Sequence, residues 1–483
     1  MTKTQVLIIG TGFSGIAMAI ALKKAGINDF VILEKAQGVG GTWRENTYPG
    51  AECDIPSALY SYSFEHNPAW QYKWSEQPQI LDYLQHTSDK YELLPHIRFG
   101  EEVVRACFNE EEKCWRVESA SSAQWRSQFL VAAVGQLHHP FTPDIPGQDQ
   151  FEGEQFHSAG WNHDIELEGK SVAVLGNAAS ALQFVPEVAK QARQLTVIQR
   201  SANWVIPKLD RPYKPWEQWL SDKVPLVARL YRLRLWLRNE LMVYPVMRGN
   251  RLLQFWLRGM HQRYLKRTIA DPELRAKLTP DYPVGAKRVL FSDDYFDALA
   301  RSNVELITER VDSLGSGAIR TQSGREIPVD VVIYGTGFKT NPFLAPMDIV
   351  GLQGARLHEV WRDGAHAYLG VCTSGFPNLF MLYGPNTNLG HNSIVLMAES
   401  QARYIAECIR TVQCEGLQTI DVLASVEQAY NEELQARLKD MVWNALGESW
   451  YKDGTRITNN WAGTTWEYMR KMKQVDWQAY RLE

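Results

Sequence analysis

An unbroken apolar run, Val6-Leu7-Ile8-Ile9, stops at Gly10-Thr11-Gly12-Phe13-Ser14-Gly15 and is followed by an apolar-rich stretch from Ile16 to Lys24. A short run before a glycine turn predicts a strand buried on both faces, and the longer stretch after it a helix packed on that strand. A second run, Val31-Ile32-Leu33, ends at Glu34. The chain turns polar and helical between Pro68 and Gly100, then breaks into short strands from Val103 to Val134. Trp115-Arg116-Val117 and Phe129 to Val134 are expected to return to the first sheet as a meander. The strand, turn and helix pattern recurs at Ser171 to Leu175, Gly176 to Ala181 and Leu195 to Gln199.

Pro140, Pro143, Pro146 and Gly147 mark a boundary, because successive prolines remove backbone donors, and Phe151 to Asn162 is expected to be a linker. Between Trp216 and Arg267, Leu226, Leu230, Leu233 and Leu237 are spaced for one helix face, with Arg229, Arg232, Arg234 and Arg238 interleaved. We expect a soluble helical lobe docked on the second unit; the alternative is a membrane-surface helix with arginines at the polar boundary. Asp330 to Tyr334 predicts a strand running into Gly335-Thr336-Gly337-Phe338, a crossing between domains. Phe376 to Asn386 predicts a strand and turn, followed by Asn388, His391, Asn392 and Ser393 before a helix from near Ile394. The whole predicts an α/β fold of two Rossmann-like dinucleotide-binding domains with a helical insertion. Residues 1–145 and 341–483 are expected to form the first, 146–215 and 281–340 the second, and 216–280 the insertion.

Composition adds exclusions. The 483 residues carry a formal net charge of -4, with 45% apolar and 22% charged positions, so no basic bias suggests nucleic acid as a partner. The six cysteines form no C-x-x-C pair, which argues against a redox dithiol and against a bound metal and suits reduced thiols in the cytoplasm. No apolar stretch is long enough to span a bilayer. Three glycines interrupt the run from Val6 to Leu22, which argues against a secretion signal.

The candidate chemistry sits in the turns. Gly10, Gly12 and Gly15 allow a tight turn, close approach of a pyrophosphate and helix packing, while Glu34 can accept from ribose hydroxyls, which suits FAD. In the second unit Arg200-Ser201 stands where the first has Glu34, and a cation with a hydroxyl there suits the 2′-phosphate of NADPH. The stretch Gly40 to Asp54 fits neither helix nor strand periodicity; its glycines, Trp43, Tyr48, Pro49-Gly50 and Asp54 predict a loop facing a cofactor. Lys287-Arg288 follows the turn Pro283 to Ala286, a placement suited to phosphate or an oxyanion.

These residues resemble the class B flavoprotein monooxygenases, and within them the Baeyer-Villiger monooxygenases, over nearly the whole chain. Gly40-Gly41-x-Trp43, Tyr48-Pro49-Gly50 and Asp54 match one family fingerprint; Phe151-x-Gly153-x-x-x-His157-x-x-x-Trp161 matches the other except at Asn162, usually Pro or Asp. The resemblance implies FAD contacts at Phe13, Ser14, Gly15, Glu34, Gly41, Thr42, Trp43, Asp54, Tyr60 and Val103. It implies NADPH contacts at Gly176, Asn177, Ala178, Ala179, Ser180, Ala181, Arg200, Ser201 and Lys287, with Trp450 near the nicotinamide. It further implies an FAD- and NADPH-dependent enzyme that inserts one atom of O2 beside a ketone carbonyl, by way of a C4a-peroxyflavin, giving an ester or lactone. Arg288, oriented by Asp54, is expected to stabilise the oxygen anions of that reaction. Other readings are N- or S-oxygenation of a soft nucleophile, NADPH-dependent disulfide reduction, and a dinucleotide-sensing binding protein. Ala178, in place of the middle glycine, is expected to loosen the second turn.

Overall fold

The computed structural model describes residues 1–447 and 450–483. Its first sheet is built on β1 (Thr2–Ile9), followed by α1 (Phe13–Lys24) and β2 (Phe30–Glu34). The fingerprint stretch contains one helical turn, α2 (Thr42–Glu45), which the sequence reading took as loop, and α3 (Gln77–Lys90) follows. β3 (Ile97–Phe99), β4 (Val103–Asn109), β5 (Cys114–Ser119) and β6 (Gln124–Ala132) complete the early strands. β1 lies between parallel neighbours, with Leu7 opposite Val31 and Leu130. β4, β5 and β6 form the expected antiparallel meander, and the late strands Asp348–Val350 and Leu379–Met381 bring the sheet to eight. β1 is apolar without alternation because both faces are covered. Val6 and Ile8 pack with α1 and the helix Ile394–Cys414, whereas Leu7 and Ile9 pack with Trp115 and Phe376.

The second sheet begins with β7 (Glu154–His157), which pairs in parallel with a much later strand, so four residues of the segment expected to be a linker form an edge strand. Four residues carry too little pattern to show pairing with a partner 177 positions away. Next come β8 (Ser171–Leu175), α4 (Ala179–Gln191), β9 (Gln194–Ile198) and the short β10 (Val205–Ile206). The insertion consists of α5 (Pro215–Lys223), α6 (Pro225–Arg238), a π-helical turn at Asn239–Val243, α7 (Tyr244–Met247) and α8 (Arg251–Thr268). β11 (Leu290–Phe291) pairs with β10, and β12 (Val304–Ile307) with β9. A small antiparallel sheet, β13 (Val311–Leu314), β14 (Ala318–Thr321) and β15 (Glu326–Pro328), precedes β16 (Val331–Tyr334). The resulting five-stranded order is β12-β9-β8-β16-β7.

The insertion departs from expectation. On α6 the leucine row is exposed, and the inward contacts come from the opposite side of the helix: Leu235 is buried, Arg232 donates to the Ala58 carbonyl (2.7 Å) and Trp236 to Thr465 Oγ1 (2.7 Å). These partners belong to the segments around the first sheet, so α6 does not dock on the second unit. α8 does, through His261, whose ring lies 3.0 Å from the Val205 carbonyl. Helical spacing shows that an apolar face exists, not what covers it. Among the described residues, no helix is long and apolar enough to cross a membrane.

Candidate active site

The two glycine turns open into one cavity of about 1120 Å³. In the first turn Gly10 has φ of +100°, a conformation L side chains rarely adopt, and an added Cβ would lie 2.7 Å from the Ala133 carbonyl oxygen. Gly176 repeats this at +103°. Neither α1 nor α4 has a side-chain hydrogen bond at its N-cap, so their first N–H groups are left to the cavity, as an incoming phosphate requires. Ala178 has φ/ψ of -69/-178°, close to -74/-169° at Gly12. That is extended backbone any residue adopts, so the methyl group leaves the backbone of the turn undistorted.

At the end of β2, Glu34 is buried; it accepts from Thr11 N (2.9 Å), Thr11 Oγ1 (2.6 Å) and Ala36 N (2.8 Å), which fixes the carboxylate at the cavity wall. A carboxylate has about four acceptor positions, so capacity remains for a ribose hydroxyl. The end of β9 has the opposite character: Arg200 is exposed, and Lys287 donates to Ser201 Oγ (2.7 Å). Burial, then the nearby Arg200 charge, hold Lys287 below the usual lysine range, which marks a pocket with spare positive charge.

The loop from Gly40 to Asp54 bridges the two sheets. Gly41 lies against Gly12, where a Cβ would come within 3.1 Å of the Gly12 Cα. Trp43 Nε1 donates to Tyr60 Oη (3.1 Å). Tyr48 donates to Gln183 Oε1 on α4 (2.8 Å), and Gln183 returns a bond to the Glu52 carbonyl (2.9 Å). In the second fingerprint, Ala159 N donates to His157 Nδ1 (3.0 Å), so Nε2 carries the proton and donates to the Gly337 carbonyl in the crossing segment (3.0 Å). Trp161 packs on Phe184, 5.3 Å between ring centroids, and Asn162 accepts from Asp164 N as an aspartate would.

Between the turns, Arg288 meets Asp54 in a two-pronged ion pair, Nε to Oδ2 at 2.6 Å and Nη2 to Oδ1 at 2.7 Å. The β10 and β11 pairing fixes the arginine, and Cys53 N bound to the Ser75 carbonyl (2.9 Å) fixes the aspartate. Burial opposes the guanidinium charge, but Asp54 outweighs it and the arginine pKa lies above its ordinary value. Its side chain remains 37% exposed, so the cation is held in place yet presented to the cavity.

Of the residues expected to contact cofactors, all line the cavity except Gly15 and Ala181. Both are buried: a Cβ on Gly15 would overlap the Gly10 carbonyl, and Ala181 packs against Gly335. Sequence reasoning passed over Glu52, which contacts Lys208 and which burial pushes up to about 7, giving the cavity a carboxyl able to hold a proton near neutrality. It also passed over Tyr383, whose hydroxyl burial keeps neutral and which donates to Asn388 (2.7 Å), and over His138, held down to about 4 by burial. No motif marks these three; each is defined by tertiary neighbours.

A family model described as pyridine nucleotide-disulphide oxidoreductase matches residues 7–219. A Baeyer-Villiger monooxygenase of Streptomyces coelicolor is 40% identical over 481 residues, covering 99% of this chain and 92% of the relative. The chain belongs to the Baeyer-Villiger monooxygenases. Solved structures agree: an oxidized steroid monooxygenase bound to NADP has a TM-score of 0.90 at 29% identity, covering 100% of this chain and 99% of its own. An OTEMO complex with FAD and NADP has a TM-score of 0.88 at 27% identity, with 99% of both chains covered. All six cysteines are free.

Proposed function

We propose that this protein is an FAD- and NADPH-dependent monooxygenase that inserts one oxygen atom of O2 beside a ketone carbonyl to give an ester or lactone. The observation that carries the reading is one cavity lined by both glycine turns, with the Arg288–Asp54 pair between them. When bound, the nicotinamide supplies a hydride and the flavin the oxygen chemistry. On this reading residues 1–145 with 341–483 hold FAD, 146–215 with 281–340 hold NADPH, and 216–280 are the insertion. Gly12, Gly41 and the free N–H groups of α1 receive the FAD pyrophosphate, and Glu34 the ribose. Gly176 to Ser180 receive the second pyrophosphate, while Arg200, Ser201 and Lys287 read the 2′-phosphate.

Arg288 supplies a permanent, forked positive charge where oxygen becomes anionic during attack on the carbonyl, and Asp54 fixes its plane. Tyr48 with Gln183, and His157 with Gly337, hold the fingerprint loop and the crossing segment against the second unit, which fixes the cavity walls in place. Free cysteines and a need for NADPH support a cytoplasmic location. The test is product analysis after incubating the purified yellow protein with NADPH, air and a panel of cyclic and linear ketones. One ester or lactone per NADPH supports the reading. Sulfoxide or N-oxide formation with no ester would move the protein to the N- and S-oxygenating branch, and NADPH binding without oxidation would make it a binding protein.

A further inference from the structure

The insertion turns its apolar rows outward. Leu226, Leu230, Leu233 and Leu237 follow one another along a single face of α6, and Leu226 is 62% exposed. At the start of α8, Leu252 and Phe255 are 75% and 74% exposed, with Trp256 beside them. Trp216 and Trp219 stand out from α5 in the same way. α5 packs on α6, and the chain passes through the π-helical turn into α7, which packs on α8. These helices follow one another in a single lobe, and exposed apolar rows of this kind mark a docking surface.

Charge decides what docks there. Between Trp216 and Arg267 the chain has eleven Lys and Arg against three Asp and Glu, although the whole protein is net negative at -4. The three acids are already committed: Glu217 to Lys73 and Arg211, Asp222 to Lys223, and Glu240 in the interior, where it accepts from Asn392. Arg229, Arg234, Arg248, Arg251 and Arg258 are exposed. We propose that this face docks on the surface of an anionic phospholipid bilayer, with leucine and aromatic side chains seated at the headgroup boundary and arginines on the lipid phosphates. A second copy is the weaker occupant, because a two-fold contact would oppose two surfaces with the same positive excess. The lobe lies on the membrane and does not cross it.

Sedimentation of the FAD-loaded protein with vesicles of phosphatidylcholine, alone or mixed with phosphatidylglycerol, tests this. At least about tenfold more protein should pellet with the mixed vesicles. Leu252→Ser with Phe255→Ser should cut that binding severalfold, and Arg229→Glu with Arg234→Glu should remove the preference for anionic lipid. Both double variants should keep wild-type circular dichroism and NADPH oxidation, since these side chains are exposed and remote from the cavity. Equal pelleting with both vesicles, or pelleting unchanged by either variant, would overturn the proposal. So would a dimer in size-exclusion chromatography that Leu252→Ser with Phe255→Ser splits, which would give the face to a second copy.

Discussion

Gly12 and Ala178 occupy matching places in the two turns with nearly the same backbone, yet the strands that follow lead to opposite charge, Glu34 as the last residue of β2 and Arg200-Ser201 just after β9. The difference separates two jobs that a dinucleotide site must do. On the proposed reading, uncapped helix N–H groups receive a pyrophosphate in either unit, whatever the sign of the strand end. The strand end then selects the ribose: a carboxylate accepts from hydroxyls, whereas a cation with a hydroxyl suits a 2′-phosphate. On this account one architecture serves two cofactors through the polarity of a single position.

The largest test of the comparison is Gly12→Val. The backbone there is extended, and a Cβ would meet only the Gly41 Cα, at 3.8 Å, so the fold tolerates the change while the branched side chain fills the pyrophosphate approach. The protein should purify colourless with intact circular dichroism; full flavin absorbance would refute the placement of FAD. Next in size, Arg200→Ala should lower the NADPH to NADH ratio of kcat/KM by about tenfold, the modest end for an exposed charged contact. An unchanged ratio would show that this strand end does not read the phosphate.

A smaller effect concerns pH. Because burial and Arg200 lower the Lys287 pKa, its cation is present at low pH and is lost as pH rises through that lowered value. kcat/KM for NADPH should therefore fall at high pH while that for NADH stays flat, and Arg200→Ala should move the fall to higher pH. A fall shared equally by both cofactors would contradict this. Smallest of all, Ala178→Gly should change kcat/KM for NADPH less than about twofold, since Ala178 already has an ordinary backbone conformation. A large gain would show that the methyl group does loosen the second turn.

Both units were legible in the sequence because strand, turn and helix lie within about thirty residues of each other, where periodicity and glycine placement act together. The pairing of β7 with β16 was not, since an edge strand of four residues has no local signature. Arg288 and Asp54, 234 positions apart, came together through the family's fingerprint and not through spacing. Glu52 stayed hidden because its raised carboxyl is a property of burial beside Lys208. The leucines of α6 were legible as a helix face, but their exposure depends on Arg232 and Trp236 anchoring the other side.

Arg288 is proposed as the charge that meets developing oxygen anions, and the most direct measurement of that role is the partition of NADPH-derived oxidation between ester and hydrogen peroxide in Arg288→Ala. The variant should keep its FAD and oxidise NADPH in air, while ester formation falls by about 10²–10³ and hydrogen peroxide takes its place. Ester yield near that of the wild type would remove Arg288 from the chemistry, and loss of bound flavin would make the Arg288–Asp54 pair a structural clamp.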